Sequence, residues 1–272
     1  LMSLFWKYTW NRLTFPVRAF WFRTVRQKLL DKYWWSHARY ALRKLRDKIN
    51  DFYMLHRHLY RLYSGKAVRL LSSLSHEAQS DSNSSRWVAD DWPKLRKKRG
   101  RLVAWATRHG AESIWLKHDP LLPHEKPEPN QTSSYVVVGL CGLQSLWRRG
   151  QLDFAALSQE DAARAARYSI NELNGFSDWL PDLAAAKPDI VRDILLACID
   201  GDWQIPAEKQ FAHEMLAKLS WSGEAYQPLI SAGLLDRLQA RDPLHPQILS
   251  YAISILLKSA NPPYEVFDAF CL

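Results

Sequence analysis

The sequence predicts an all-α protein: a long basic amphipathic helix followed by a HEAT/armadillo-like α-solenoid or an irregular helical bundle. Three observations predict it. From Arg18 to Tyr63 neither Gly nor Pro interrupts the chain, and from Trp35 onward the apolar residues step by three and four, the spacing of one helical face. Between Gln151 and Leu257, stripes of the same period recur in short blocks. Pro188, Pro206 and Pro246 each open such a block, where the fixed φ and missing N–H of proline suit a first helical turn. The 40-residue offset from Pro206 to Pro246 lies in the range at which paired helices repeat in HEAT and armadillo arrays.

With 272 residues, 47% of them apolar, the chain can bury a sizeable core as one large or two ordinary domains. Its formal charge of +9 is unevenly spread. Residues 1–110 carry 24 Lys/Arg against 7 Asp/Glu, a balance of +17 that leaves −8 for the remainder, and they hold eight of the thirteen Trp. This divides the chain into a basic, Trp-rich helical region (1–110), a Pro-rich connector (111–134) and a helical-repeat domain (135–272).

Cys141, Cys198 and Cys271 are odd in number and far apart, which fits a reducing, cytoplasmic compartment better than a disulfide framework. Asn83 and Asn130 open N-x-Ser/Thr triplets, but without a cleavable signal pattern they read as loop residues. Lys7, Arg12, Arg18 and Arg23 break every apolar run near the start, so no transmembrane span is expected there. The chain opens on Leu1, and its last helical pattern is cut at Leu272, so a larger parent polypeptide is expected.

In the first helix Trp35, Ala38, Leu42, Leu45, Ile49, Phe52, His56, Leu59 and Tyr63 form one stripe, with Lys and Arg crowding the other faces. The stripe admits three readings: packing against neighbouring helices, a self-associating coiled coil, or an interfacial membrane helix. The expected length is roughly 45 residues, with Gly65 as the stop, and Val68, Leu71 and Leu74 begin a shorter helix. Residues 79–85 are too polar to pack and read as a loop.

A further helix is expected from Pro93 to just before Gly110, with Gly100 as a point of weakness. It carries Lys94, Arg96, Lys97, Lys98, Arg99 and Arg101 between Trp92 and Trp105. Such charge density suits a phosphate backbone or an acidic partner, and the indoles suit unpaired bases. Consecutive cations also wrap all round a helix, which is the solvated-face alternative. Pro120, Pro123, Pro127 and Pro129 make the next stretch an extended connector. His118, Asp119, His124 and Glu125 lie there without the paired spacing of a metal site, so no metal is expected.

Val136, Val137 and Val138 alone favour a strand, but Leu140, Leu143 and Leu146 follow at helical spacing, so a buried helix is expected over Tyr135–Gly150. Gly139 and Gly142 on one of its faces would admit a close neighbour. Neither they nor Gly65-Lys66 form a phosphate loop, so no nucleotide cofactor is expected. Ser158 with Glu160 and Asp161 marks a helix start, Asn174-Gly175 its stop, and Ala162, Ala166, Ile170 and Leu173 its inner face.

A short helix then holds Trp179, Leu180 and Leu183. The next, Asp189–Ile199, turns Ile190, Ile194 and Ala197 inward and ends at an Asp200-Gly201-Asp202 turn. Phe211, Met215, Leu216 and Leu219 form the following stripe. His213-Glu214 does not begin a zinc-protease motif, because Ala217 stands where the second His belongs. Tyr226–Leu238 and Ile248–Leu257 complete the series. Helices this short are marginal alone and must lean on neighbours, which leaves an extended outer face for recognition.

The run Arg167-Tyr168-x-x-x-Glu172-Leu173-Asn174-Gly175-Phe176, preceded by Val138-Gly139-Leu140-x-Gly142-Leu143-Gln144, resembles segments of very large bacterial proteins of the STAND or NACHT-type ATPase class. The resemblance spans about residues 90–260. It implies a helical sensor region that recognises a trigger in phage defence, while an NTPase module elsewhere oligomerises. No Walker A or Walker B segment occurs in this chain, so nucleotide chemistry would lie outside it.

The sequence therefore leads first to a non-enzymatic helical scaffold binding a protein partner or another domain of its own polypeptide. A nucleic-acid-binding module using the basic half is the alternative, and an enzyme on a helical fold with unrecognised catalytic groups is a third reading.

Overall fold

A computed structural model of the chain describes residues 32–79, 87, 91–128, 131–208 and 215–258. Every regular element among them is helical, as the apolar periodicity requires, and no strand is present among the described residues. The chain divides into two compact units, Leu1–Arg57 and His58–Leu272. The Pro-rich stretch lies inside the second.

The first unit contributes α1 (Lys32–Arg57). The expectation of one helix running on through Tyr63 is corrected, because the backbone leaves helical geometry at His58 (φ −101°, ψ 8°) and α2 (Leu59–Tyr63) is a separate short helix. The expected segment before Lys32 lies outside the described residues.

In the second unit, α3 (Val68–Glu77) buries Val68, Leu71 and Leu74 as its spacing predicts. The single helix expected from Pro93 is two: α4 (Trp92–Arg99) and α5 (Arg101–Ile114). Gly100 separates them with φ +92° and ψ 165°, a backbone region that is costly for any residue with a Cβ. Gly110 does not end α5 but lies within it. A Cβ there would overlap the Leu62 carbonyl oxygen, so the glycine lets the α2 backbone cross directly on α5.

The three valines do not make a strand: α6 (Ser134–Arg148) takes them in its first turns and buries Val136 and Val138 together with Leu140 and Leu143. Both expected close approaches occur on α6. A Cβ on Gly142 would strike the Ala111 carbonyl of α5, and one on Gly139 would strike the Tyr168 ring.

α7 (Gln159–Ile170) starts at Ser158, whose hydroxyl accepts the Asp161 N–H at 3.1 Å. It stops at Asn171, short of the expected Asn174, so Leu173 is exposed and not inward. α8 (Leu180–Ala186) follows, with Trp179 fully buried at its start. α9 (Pro188–Trp203) extends past the expected Asp-Gly-Asp turn and carries all three of those residues in its last turn. Its deepest side chains are Val191, Leu195, Cys198 and Ile199, while Ile190, Ile194 and Ala197 are only partly buried.

α10 (Met215–Ser222), α11 (Gln227–Ala240) and α12 (Pro246–Lys258) complete the unit. Pro188 and Pro246 do begin helices. Pro206 does not, since Ile205 and Pro206 belong to no regular element and Ala207 and Glu208 form a turn, and the 40-residue offset from Pro206 to Pro246 therefore relates no two helix starts. Phe211, His213 and Glu214 lie outside the described residues, as does Cys271.

Packing follows chain order. The principal contacts are α2 and α4 on α5, α3 on α6, α5 on α6, α6 on α7, α7 on α8 and α9, α8 on α9, α9 on α10 and α11, and both α10 and α11 on α12. No principal partner is more than three helices away, which is the neighbour-on-neighbour stacking that short amphipathic helices need. The Pro-rich stretch is clamped to α7. Leu122 enters the core, Arg167 donates to the Pro120 carbonyl (3.2 Å) and to Glu125 (2.8 Å), and Asn171 donates to the Leu121 carbonyl (3.0 Å).

Candidate functional site

Asp91 caps α4 by accepting the Lys94 N–H at 2.9 Å, which fixes the helix start at Trp92 and Pro93. The break at Gly100 then turns the chain back, so that α4 and α5 pack on each other. The run of cations is divided into two groups by this geometry.

One group faces α3. Arg99 forms a two-point pair with Glu77, Nε to Oε2 at 2.8 Å and NH2 to Oε1 at 2.6 Å, and Lys98 Nζ lies 3.1 Å from the same carboxylate. The hydrogen bond from Arg99, assisted by Lys98, holds the Glu77 carboxyl below its ordinary value against the opposing effect of burial. Lys94 Nζ donates to the Gln79 carbonyl at 2.8 Å.

The other group faces outward. Arg96, Lys97 and Arg101 line a groove of about 550 Å³ between α4 and α5, together with Trp92, Pro93, Ala104, Trp105 and Arg108. Arg96, Lys97 and Arg101 are exposed and make no ion pair among the described residues. None of the residues lining the groove is acidic. Uncompensated cations along a concave strip concentrate positive potential, because the low-dielectric walls focus the field outward.

The groove floor is held from below. Trp92 is buried and donates its indole N–H to Ser145 Oγ at 3.0 Å, and Ser145 in turn donates to Glu112 Oε1 at 2.6 Å. Arg149 donates to that oxygen at 2.6 Å and Arg108 approaches it at 3.7 Å. The Glu112 carboxylate beneath the floor is thus engaged by two guanidiniums and does not pair with the outward cations.

Trp105 forms one wall and is 48% exposed. Its ring lies on Tyr63 with centroids 5.0 Å apart and planes at 24°, and Tyr63 stacks on His109 at 3.9 Å and 18°. This aromatic stack fixes the indole, so ordering it on a ligand costs little rotamer entropy.

Of the residues singled out in the sequence, the structure brings Trp92, Arg96, Lys97, Arg101 and Trp105 to the groove and directs Lys98 and Arg99 to α3 and Lys94 to Gln79 just after it. Arg108 was missed by sequence reasoning. Its spacing from Trp105 and Ala104 along one face of α5 was the available signal.

Several other polar residues singled out in the sequence have structural partners. His118 stacks on Tyr135 at 4.8 Å, and Glu125 pairs with Arg167. Among the described residues no group of three His, Cys, Asp or Glu side chains is gathered as a metal site. Asp200 pairs with Arg237, and Asp202 accepts the Leu216 N–H at 2.8 Å, while Gly201 makes room for the His124 ring. Burial pushes the Cys198 thiol far up, which keeps it protonated and a poor nucleophile.

No protein-family model, curated protein or solved structure matches this chain.

Proposed function

We propose that this chain is a non-enzymatic helical recognition scaffold and that the groove between α4 and α5 takes a single-stranded nucleic acid. The observation that carries the reading is the pairing of three outward cations, Arg96, Lys97 and Arg101, with the exposed, pre-stacked indole of Trp105. Cations spaced along a groove track a phosphate backbone, and an indole fixed on one face offers the other to an unpaired base. A flat solvated face would need neither the concavity nor the ordered ring.

The test is fluorescence anisotropy with labelled oligo-dT and oligo-U over a range of salt. Engagement of three or four cations gives a log–log slope of roughly −2 to −3. The double variant Lys97→Glu/Arg101→Glu should lose most of the affinity. Salt-independent binding, or binding unchanged in that variant, refutes the groove as the contact.

A second reading, in which the helical stack holds a protein partner or another region of its parent polypeptide, is favoured by Trp221 on α10. That side chain is 66% exposed, and Leu257 on the adjoining α12 is 46% exposed. Lys258 Nζ reaches the Ser220 carbonyl at 3.4 Å and ties the two helix ends together, so the apolar residues sit on neighbouring ends. On this reading the partner would be another region of the larger bacterial defence protein that the sequence resemblance implies. It predicts that neighbouring parts of the parent open reading frame bind the chain in trans and that Trp221→Ser prevents it.

A further inference from the structure

We infer that α1 is a docking helix for an anionic phospholipid surface, lying in the plane of the bilayer with the face of Leu42, Leu45, Ile49 and Tyr53 inserted. These four residues are spaced three, four and four apart and so share one face, yet they are 65%, 55%, 58% and 68% exposed. An apolar stripe of that length left in water is a surface awaiting a cover.

The charges say which cover fits. Arg39 lies three residues before Leu42, and Arg46 lies four after it and three before Ile49, so both border the apolar face on the same side, with Arg43 just beyond. Asp47 and Asp51 fall roughly 150° or more away round the helix, at about 100° per residue. Arg46 approaches Asp47 at 3.8 Å, with both side chains more than 65% exposed, a contact that water and salt screen.

A lipid headgroup layer satisfies both features at once. The stripe enters the acyl boundary, while guanidiniums on the flank bury their stems and reach phosphate oxygens above it. A second copy of α1 fits poorly. Across a Leu42–Leu45–Ile49 seam, Arg39 and Arg46 would meet guanidiniums of the other copy in an antiparallel pair, and Arg46 would face only Ala41 in a parallel one, with the acids on the far side in both. A nucleic-acid strand would use the arginines and leave the apolar face uncovered. No helix among the described residues is long and apolar enough to cross a membrane, so α1 would lie on the surface and not span it.

The test is co-sedimentation of the full chain with vesicles of phosphatidylcholine alone and of phosphatidylcholine mixed with phosphatidylglycerol. Binding to the mixed vesicles is expected, with weak binding to the neutral ones. Leu45→Asp/Ile49→Asp should reduce it by roughly tenfold or more. Ile49→Trp, which keeps the face apolar, should retain it. Absence of binding overturns the inference, as does binding unchanged in the double Asp variant, which would make charge alone responsible. Light scattering that reveals a dimer dissociated by the same double variant also overturns it in favour of a second copy.

Discussion

Arg99 on α4 holds Glu77 on α3 in a two-point pair, with donor–acceptor distances of 2.8 and 2.6 Å and both side chains mostly shielded from solvent. Because the pair lowers the Glu77 carboxyl below its ordinary value of 4.5, its stabilisation is fully present above that value and is lost as pH falls through the folded-state value. Arg99→Leu should cost about 1 kcal/mol at neutral pH. In urea unfolding at stepped pH, the gap between wild type and variant should close in the acid range. A gap that stays constant to the most acid pH tested contradicts the pairing.

Gly110→Ala and Gly142→Ala should each destabilise by about 3 kcal/mol, since the added methyl meets backbone carbonyls of Leu62 and Ala111 and neither helix can yield locally. Gly233→Ala is the control. Its Cβ would meet mainly the tip of the Leu196 side chain at 2.8 Å, which can rotate away, so gained helix propensity should leave the change within about 1 kcal/mol. Denaturant midpoints of the three variants compare these directly.

Trp105→Ala should weaken binding of oligo-dT by about 1–3 kcal/mol while leaving its salt slope unaltered, because it removes a stacking face and no charge. Arg101→Ala should instead make the slope shallower by about 0.7. Anisotropy titrations at several salt concentrations separate the two effects. Equal changes in slope would assign Trp105 a merely structural part.

Asp202→Ala should cost about 1–2 kcal/mol, because the buried carboxylate accepts the Leu216 N–H at 2.8 Å at the start of α10 and its loss leaves that donor unpaired. Asp200→Ala, two residues away, should cost under about 1 kcal/mol, since Asp200 is more than half exposed and water screens its pair with Arg237. Thermal melts of the two variants should differ accordingly.

The helical class was legible because side-chain periodicity is a local property: the three- and four-residue steps of Val68, Leu71 and Leu74 or of Ala162, Ala166 and Ile170 state which face is buried wherever one face dominates. It failed on α9, which is contacted from several sides at once, so Val191 and Leu195 are deeper than the residues a single-stripe reading chose. Local punctuation also had limits. Gly100 does break its helix, but Gly110 and Gly201 are glycines for reasons of contact with Leu62 and His124, residues distant in sequence.

The sequence by itself determined the helical class, the concentration of cations and indoles in the first part, and the need of short amphipathic helices to stack, because each follows from composition and spacing along the chain. Only the tertiary structure decided which cations are free to act. Glu77, 22 residues before Arg99, neutralises one side of α4, and the turn at Gly100 gathers Arg96, Lys97 and Arg101 beside Trp105 on the other. Pairing between helices depends on distances that no helical period encodes, so a run of six cations becomes a structural clamp on one side and a groove on the other only once α3, α4 and α5 are packed.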